Sequence, residues 1–187
     1  VSAPVPSGWV ALDCCPANQV LNVLAQQLGH PYDADGAAAR QGQVLPDLLQ
    51  QVAQLDYFQR PYPKSLGNGW LRQQVLPLDL GADGSPQDKL ATACEHCAIE
   101  VAQSLDGIIQ REGLRRSAYR VLATGGGAFN SYLLETLQAY LERQHPIELY
   151  VPESDLIQYK EALLMALLGV LRLEGVPNSW RSATGAR

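Results

Sequence analysis

The sequence predicts an α/β domain, on three observations. Runs that read as strand, helix and strand follow one another in "YRVLAT", "SYLLETLQAYL" and "IELYV". A βαβ unit of this kind gives parallel strands joined by a right-handed crossover. Leu90, Cys94, Cys97, Ala98, Val101, Leu105 and Ile108 recur at helical spacing, so a long helix with an apolar stripe is expected. A last helix, from about Asp155 to Leu173, turns apolar on nearly every side in its second half. It is expected to lie buried against the sheet.

The remaining elements follow from local signals. "WVALDC" (9–14) alternates as a strand and is ended by Pro16. A helix should follow with Pro16 in its first turn, Val20, Leu21, Leu24 and Leu28 inward, and Gly29 as its stop. "HPYDADGAAARQG" reads as a turn-rich loop, "LPDLLQQVAQLDYF" (45–58) as a helix, "QRPYPKSLGNG" as irregular and residues 77–85 as a polar loop. Ser85 caps the long helix, with Pro86 at its first position and Asp88 facing its N-terminus. Asp155, with Gln158 three residues on, should open the last helix.

The 187 residues are enough for one domain with a substantial core. A net charge of -5 with no basic cluster argues against nucleic acid or an anionic membrane surface as a partner. "VSAPVPSGWV" lacks the basic start and long apolar core of a signal peptide. The longest apolar run, "ALLMALLGVL", is about half of what a membrane-spanning helix needs. The single methionine is Met165, and the chain closes on "RSATGAR". The sequence therefore reads as a fragment or processed piece, with more chain expected at both ends.

Chemistry concentrates in a few places. Gly125, Gly126 and Gly127 stand where a strand hands over to a helix. Free backbone N–H groups and the helix dipole favour an anion there, and missing side chains permit close approach. No Gly-Lys-Ser/Thr follows, so this is not a P-loop, and Asn130 stands where a dinucleotide fingerprint needs its third glycine. Nucleotide binding and a tight packing turn both fit. Cys14, Cys15 and "CEHC" (94–97) suggest zinc, yet Cys94 and Cys97 lie on the apolar stripe. His96 lies about 200° round an ideal helix from Cys94 and points away, so unmetallated thiols and no metal centre are expected. Lys64 and Ser65 can reach a phosphate or hydroxyl, or simply belong to an exposed loop. Asp13, Asn18 and Asn22 cluster at a strand end and the following helix, fit for a sugar hydroxyl or for loop backbone groups. His30, Tyr32, Asp33 and Asp35 read as turn residues.

The ordered set "ALDCCPANQVLNVLAQQLGHPYDADGAAARQG", "LDYFQRPYPKSLG", "DKLATACEHCAIEVAQSL", "VLATGGGAFNSYLLETL" and "YKEALLMALLGVLRLEG" resembles the C-terminal half of 1,6-anhydro-N-acetylmuramic acid kinases. The likeness runs from about Trp9 to Arg187. It implies an actin-like ATPase (ribonuclease H-like) lobe, a mixed sheet with flanking helices that lacks its first two strands, expected before Trp9. Residues 1–187 would be the C-terminal lobe of a cytoplasmic two-lobe sugar kinase. An N-terminal lobe outside this chain would carry the phosphate loop and the main catalytic base. The cleft would hold ATP, Mg2+ and the anhydro-muramic acid sugar, and homodimer formation stays open.

Residue by residue, the resemblance implies nucleotide contacts from Gly125, Gly126, Gly127, Asn130, Lys64 and Ser65. It implies sugar contacts from Asp13, Asn18 and Glu161, with Glu161 assisting proton transfer. Three stretches depart from the family pattern. Asp13-Cys14-Cys15-Pro16 replaces Asp-x-Gly-Pro, Asn68-Gly69 replaces Arg-Glu, and Phe129 replaces a frequent His. A non-catalytic actin-like binding or scaffold module is the competing reading. A Rossmann-type oxidoreductase is disfavoured by the imperfect glycine pattern.

Overall fold

Ser85 sets the start of the longest element. Its hydroxyl accepts from the Asp88 N–H while the Asp88 carboxylate accepts from the Ser85 N–H, and Pro86 then opens helix α5 (Pro86–Arg111). The structure is a computed structural model describing residues 1–143 and 145–178; the closing "RSATGAR" lies outside the described residues.

Before α5 come strands β1 (Ser2–Val5) and β2 (Gly8–Ala11), helices α1 (Asn18–Gln26) and α2 (Pro46–Ala53), then α3 (Asn68–Trp70) and α4 (Leu76–Gly81) joined by a π turn over Leu71–Val75. After it come β3 (Tyr119–Leu122), α6 (Ser131–Leu141), β4 (Ile147–Tyr150) and α7 (Ser154–Leu173). β3 and β4 pair in parallel around α6, as the βαβ pattern requires. Among the described residues there is no single mixed sheet: β1 and β2 form a separate antiparallel ribbon. β1 also precedes Trp9, where no strand was expected. It takes Pro4 because an edge strand can do without one N–H.

The core is built mainly on α5. Val20, Leu21 and Leu24 of α1, Leu48 and Val52 of α2, and Leu71 and Val75 of the π turn pack with Leu90, Cys94 and Cys97. Further along, Ala98, Ala102 and Ile109 meet Leu137 and Leu141 of α6 and Ile147 of β4. Each fully buried leucine of this kind contributes about 1.5–3 kcal/mol of burial energy.

Several expectations need correction. Pro16 lies outside α1, which is capped from Ala17. The second helix stops at Ala53 rather than Phe58. Residues 76–81 are helical, not polar loop, and Leu71 and Val75 beside them are core. Pro77 hides the helix from a sequence reading: it donates no N–H and crowds the preceding turn, which widens to a π turn. Glu153, not Asp155, caps α7, and no side chain bonds the helix end.

Two findings matter for function. His96, on the other side of α5 from Cys94, is buried as well, edge-on to Phe58 at 4.6 Å, because α5 is covered on both sides. Burial lowers its pKa to about 4. The second is α7, which is not buried. Ile157 is its one buried residue, whereas Leu163, Met165, Val170 and Leu173 are 60%, 69%, 55% and 87% exposed.

Candidate functional site

The glycine turn leaves the end of β3. Ala123 still pairs with Tyr150, its N–H donating at 2.9 Å. Thr124 follows, then Gly125 at φ 83, ψ -178, a backbone state open essentially to glycine alone. Gly126–Phe129 form one 3-10 turn, whose first bonded amide is that of Ala128, to the Gly125 carbonyl at 2.9 Å. Gly125, Gly126 and Gly127 thus precede the N–H groups that the turn itself uses. Beside them the Thr124 hydroxyl is buried without a hydrogen-bond partner. A cluster of backbone N–H groups with an unused hydroxyl suits an anion or a ribose.

The tight approach at Gly126 comes from inside the chain. A Cβ there would lie 2.5 Å from Asn18 Nδ2, and one at Gly127 3.7 Å from Asn18 Oδ1. Asn18, the first residue of α1, is therefore brought onto the turn. Asn130 is buried, and its Oδ1 accepts from the Leu133 N–H at 2.9 Å, capping α6. That oxygen is engaged in the fold.

Asp13, Lys64 and Ser65 meet in a second group, joined to the first by residues 13–18. The Asp13 N–H donates to the Lys64 carbonyl at 3.0 Å. Asp13 Oδ2 accepts from the Leu66 N–H at 2.9 Å and from Ser65 Oγ at 3.1 Å, and Tyr57 Oη donates to the Asp13 carbonyl at 2.7 Å. The carboxylate is exposed, and none of these bonds uses Oδ1. Lys64 turns inward: its ammonium sits 4.9 Å from the centre of the Tyr57 ring and 3.4 Å from the Tyr57 carbonyl.

Glu161 stands apart from both groups. It is exposed on α7, and its side chain has no hydrogen bond or ion pair among the described residues. α7 itself packs on the Gly126–Phe129 turn.

The four cysteines are free thiols. Cys14, Cys94 and Cys97 are buried, burial pushes Cys94 up to about 12, and Cys97 Sγ donates to the Pro16 carbonyl at 3.1 Å. Among the described residues no three or more His, Cys, Asp or Glu side chains gather closely enough to hold a metal ion.

Sequence reasoning missed Thr124, which nothing local distinguishes from a strand-end residue. It read Asp35 only as a turn residue and passed over Gly36, Arg40 and Ser131, and all four pack around the start of α6. The "DADG" turn was visible, but not what it turns against.

A parallel strand pair whose first strand runs into a glycine turn, with the amides of Gly125 to Gly127 outside the turn's own hydrogen bonds, defines an α/β protein. The comparison with known proteins narrows this: the family model for anhydro-N-acetylmuramic acid kinase matches residues 1–187, and the chain belongs to that family. Among curated relatives of that name, the Chromohalobacter salexigens protein is 37% identical over 190 residues, covering 97% of this chain and 50% of the relative. A Synechococcus protein is 34% identical (96% and 47% covered), and one from Aliivibrio fischeri is 33% identical (95% and 47% covered). The chain spans about half the length of the curated relatives it matches.

Proposed function

We propose that this chain is the nucleotide-side, C-terminal lobe of an actin-like, two-lobe sugar kinase of the cytoplasm. The whole protein would hydrolyse the 1,6-anhydro bond of anhydro-N-acetylmuramic acid and phosphorylate O6, giving N-acetylmuramate 6-phosphate. The observation that carries this reading is the Thr124–Gly127 turn, with amides that the turn itself does not use and a spare hydroxyl, in a chain matched end to end by that family.

The turn fits a nucleotide. The amides of Gly125 to Gly127 and the Thr124 hydroxyl would hold it, with Asn18 fixing the turn from behind. Asn130 supports it by capping α6 rather than by direct contact. Ser65 is held at Asp13, and Lys64 would have to leave the Tyr57 ring and carbonyl to reach a phosphate. Bound ATP supplies the transferable phosphoryl group. The residues here do not fit a Mg2+ cage: both Asp33 oxygens accept from the Ala38 and Ala39 N–H groups, and Asp35 accepts from Ser131. The ion would be held by ATP and by residues outside this chain.

Two carboxylates are candidates for the sugar side. Asp13 is the better oriented: two donors hold Oδ2, leaving Oδ1 to accept from a sugar hydroxyl or from the attacking water. Glu161 would assist once α7 is covered. That cover is the other half of the protein, whose lobe would close the cleft and bury the apolar face of α7.

The test is sugar-dependent ADP release. The full-length protein should show it and the 187-residue chain alone should not, because phosphoryl transfer needs groups from both lobes. Turnover by the chain alone, or none by a folded full-length protein, overturns the proposal; the second result favours the non-catalytic module.

A further inference from the structure

Residues 33–40 form a compact structure of their own that ends on the first turn of α6, directly after the glycine turn. Asp33 accepts from the N–H groups of Ala38 and Ala39 at 2.8 and 3.0 Å, closing the segment on itself. Asp35 sits at φ 57, left-handed for a non-glycine residue, and Gly36 follows at φ 69. Aspartate tolerates this state better than most residues, but it persists only where surroundings enforce it.

What enforces it is the first turn of α6. The Asp35 carboxylate accepts from the Ser131 N–H at 3.3 Å, and Ser131 Oγ donates to the Asp35 carbonyl at 3.0 Å. Arg40 forks onto Glu135 at 2.7 and 2.9 Å and reaches Ser131 Oγ at 3.2 Å. Gly36 lies flush on Asn130: a Cβ would come within 2.3 Å of Asn130 Oδ1 and 2.6 Å of Tyr132 Cβ. That oxygen is the one capping α6 through Leu133, so a side chain at position 36 would push away the cap.

We infer that residues 33–40 are a brace that sets the glycine turn, with Asp35 and Gly36 as positioning residues for nucleotide binding. Asp35 and Asn130 already occupy the Ser131 and Leu133 N–H groups at the mouth of α6. An incoming anion is thereby steered from the helix end to the amides of Gly125 to Gly127. The contacts within the brace stand on the structure, whereas its effect on affinity rests on the proposed nucleotide site.

The experiment uses full-length protein and three variants, Asp35→Ala, Asp35→Asn and Gly36→Ala. Amide hydrogen exchange over residues 125–133 and dissociation constants for ATP and for the anhydro-sugar are measured on each. Asp35→Ala should speed exchange there and weaken ATP roughly three- to tenfold with sugar affinity unchanged, the net scale of one ordinary hydrogen bond. Asp35→Asn keeps an oxygen acceptor and tolerance of positive φ, and should restore both. Gly36→Ala should do more than Asp35→Ala; should it fail to fold, the Asp35 pair decides alone.

Unchanged exchange over 125–133 in Asp35→Ala overturns the brace. Faster exchange with unchanged ATP affinity, or equal loss of ATP and sugar, overturns the positioning role. Wild-type protein that binds no ATP while exchange still responds would leave the brace standing and sink the proposed nucleotide site instead.

Discussion

Helices α5 and α7 reverse each other's sequence. α5 carries Lys89, Thr92, His96 and Glu100 between its apolar positions, yet all four are buried. α7 is far more apolar, yet Leu156, Tyr159, Leu163, Leu167 and Val170, a stripe at helical spacing, are between 43% and 63% exposed. Amphipathicity states how much surface a helix must hide, not which partner hides it. The partners of α5 lie within this chain. Those of α7, in our proposal, lie in the half of the protein beyond it, and an apolar patch of this extent marks an interface.

The same contrast ranks the two candidate carboxylates and gives the largest expected effect. Asp13 is held by a loop packed on the α5 side, whereas Glu161 rides on the open helix. In full-length protein Asp13→Asn should lower kcat/KM by about 10²- to 10³-fold, the usual scale for a general acid or base. Glu161→Gln should lower it by only about tenfold, since nothing in this chain orients it. Steady-state kinetics with both substrates checks this, and the reverse order would move the proton-transfer role to α7.

The cover on α7 can be broken directly. Leu163→Asp places a charge on the exposed stripe, where Leu163 is 60% exposed. The chain alone should hardly notice, within roughly 0.5 kcal/mol. The full-length protein should lose about 3 kcal/mol or more, because there the carboxylate would be buried unpaired. Urea denaturation of both forms decides, and equal effects would mean that α7 stays open in the whole protein.

Within the glycine turn the effects should be smaller and graded. Gly125→Ala forces an alanine into a backbone state costing about 1–3 kcal/mol. Gly126→Ala only has to turn the Asn18 amide aside, and Gly127 has an ordinary 3.7 Å clearance. ATP affinity should therefore fall most for position 125, less for 126 and least for 127. A uniform series would mean that the nucleotide itself, not the fold, excludes the side chains.

Much of the fold was legible because it rests on local rules. Ser85, Pro86 and Asp88 announce α5, and the alternation and spacing of residues 119–150 fix a parallel βαβ unit. What stayed hidden depends on distant neighbours. The burial of His96 stayed hidden because helical periodicity is blind to a helix covered on both sides. α4 was lost behind Pro77, and α7 was placed as buried although most of it is exposed. At the site, the glycines and Asn18 could be named from sequence. That Asn18 presses on Gly126, that Asn130 is spent on a cap, and that Asp35 reaches Ser131 follow only from tertiary contact.

The smallest effect tests the buried polar side of α5. Glu100 is 5% exposed and lies 3.7 Å from His96 Nε2. Burial raises its pKa to about 7 despite the nearby Lys64 ammonium, while burial lowers that of His96 to about 4. Between pH 4.5 and 7 the folded state thus holds a Glu100 proton that the unfolded chain gives up, so this contribution falls as pH rises. Between pH 4 and 6.5 the unfolded chain holds a His96 proton that the folded state refuses, so that contribution grows as pH rises. The two oppose each other across the overlap, and wild-type stability should be nearly flat there as far as this pair is concerned. Glu100→Gln removes one side of the balance. Its melting temperature should match wild type at pH 4 and exceed it by about 2–4 °C at pH 8, the shift expected for roughly 1 kcal/mol in a domain of this size. Asp79, also raised to about 7 by burial, is common to both proteins and cancels in the difference. A gap of equal size at pH 4 and pH 8 would show that glutamine acts through packing and that Glu100 carries no buried charge at high pH.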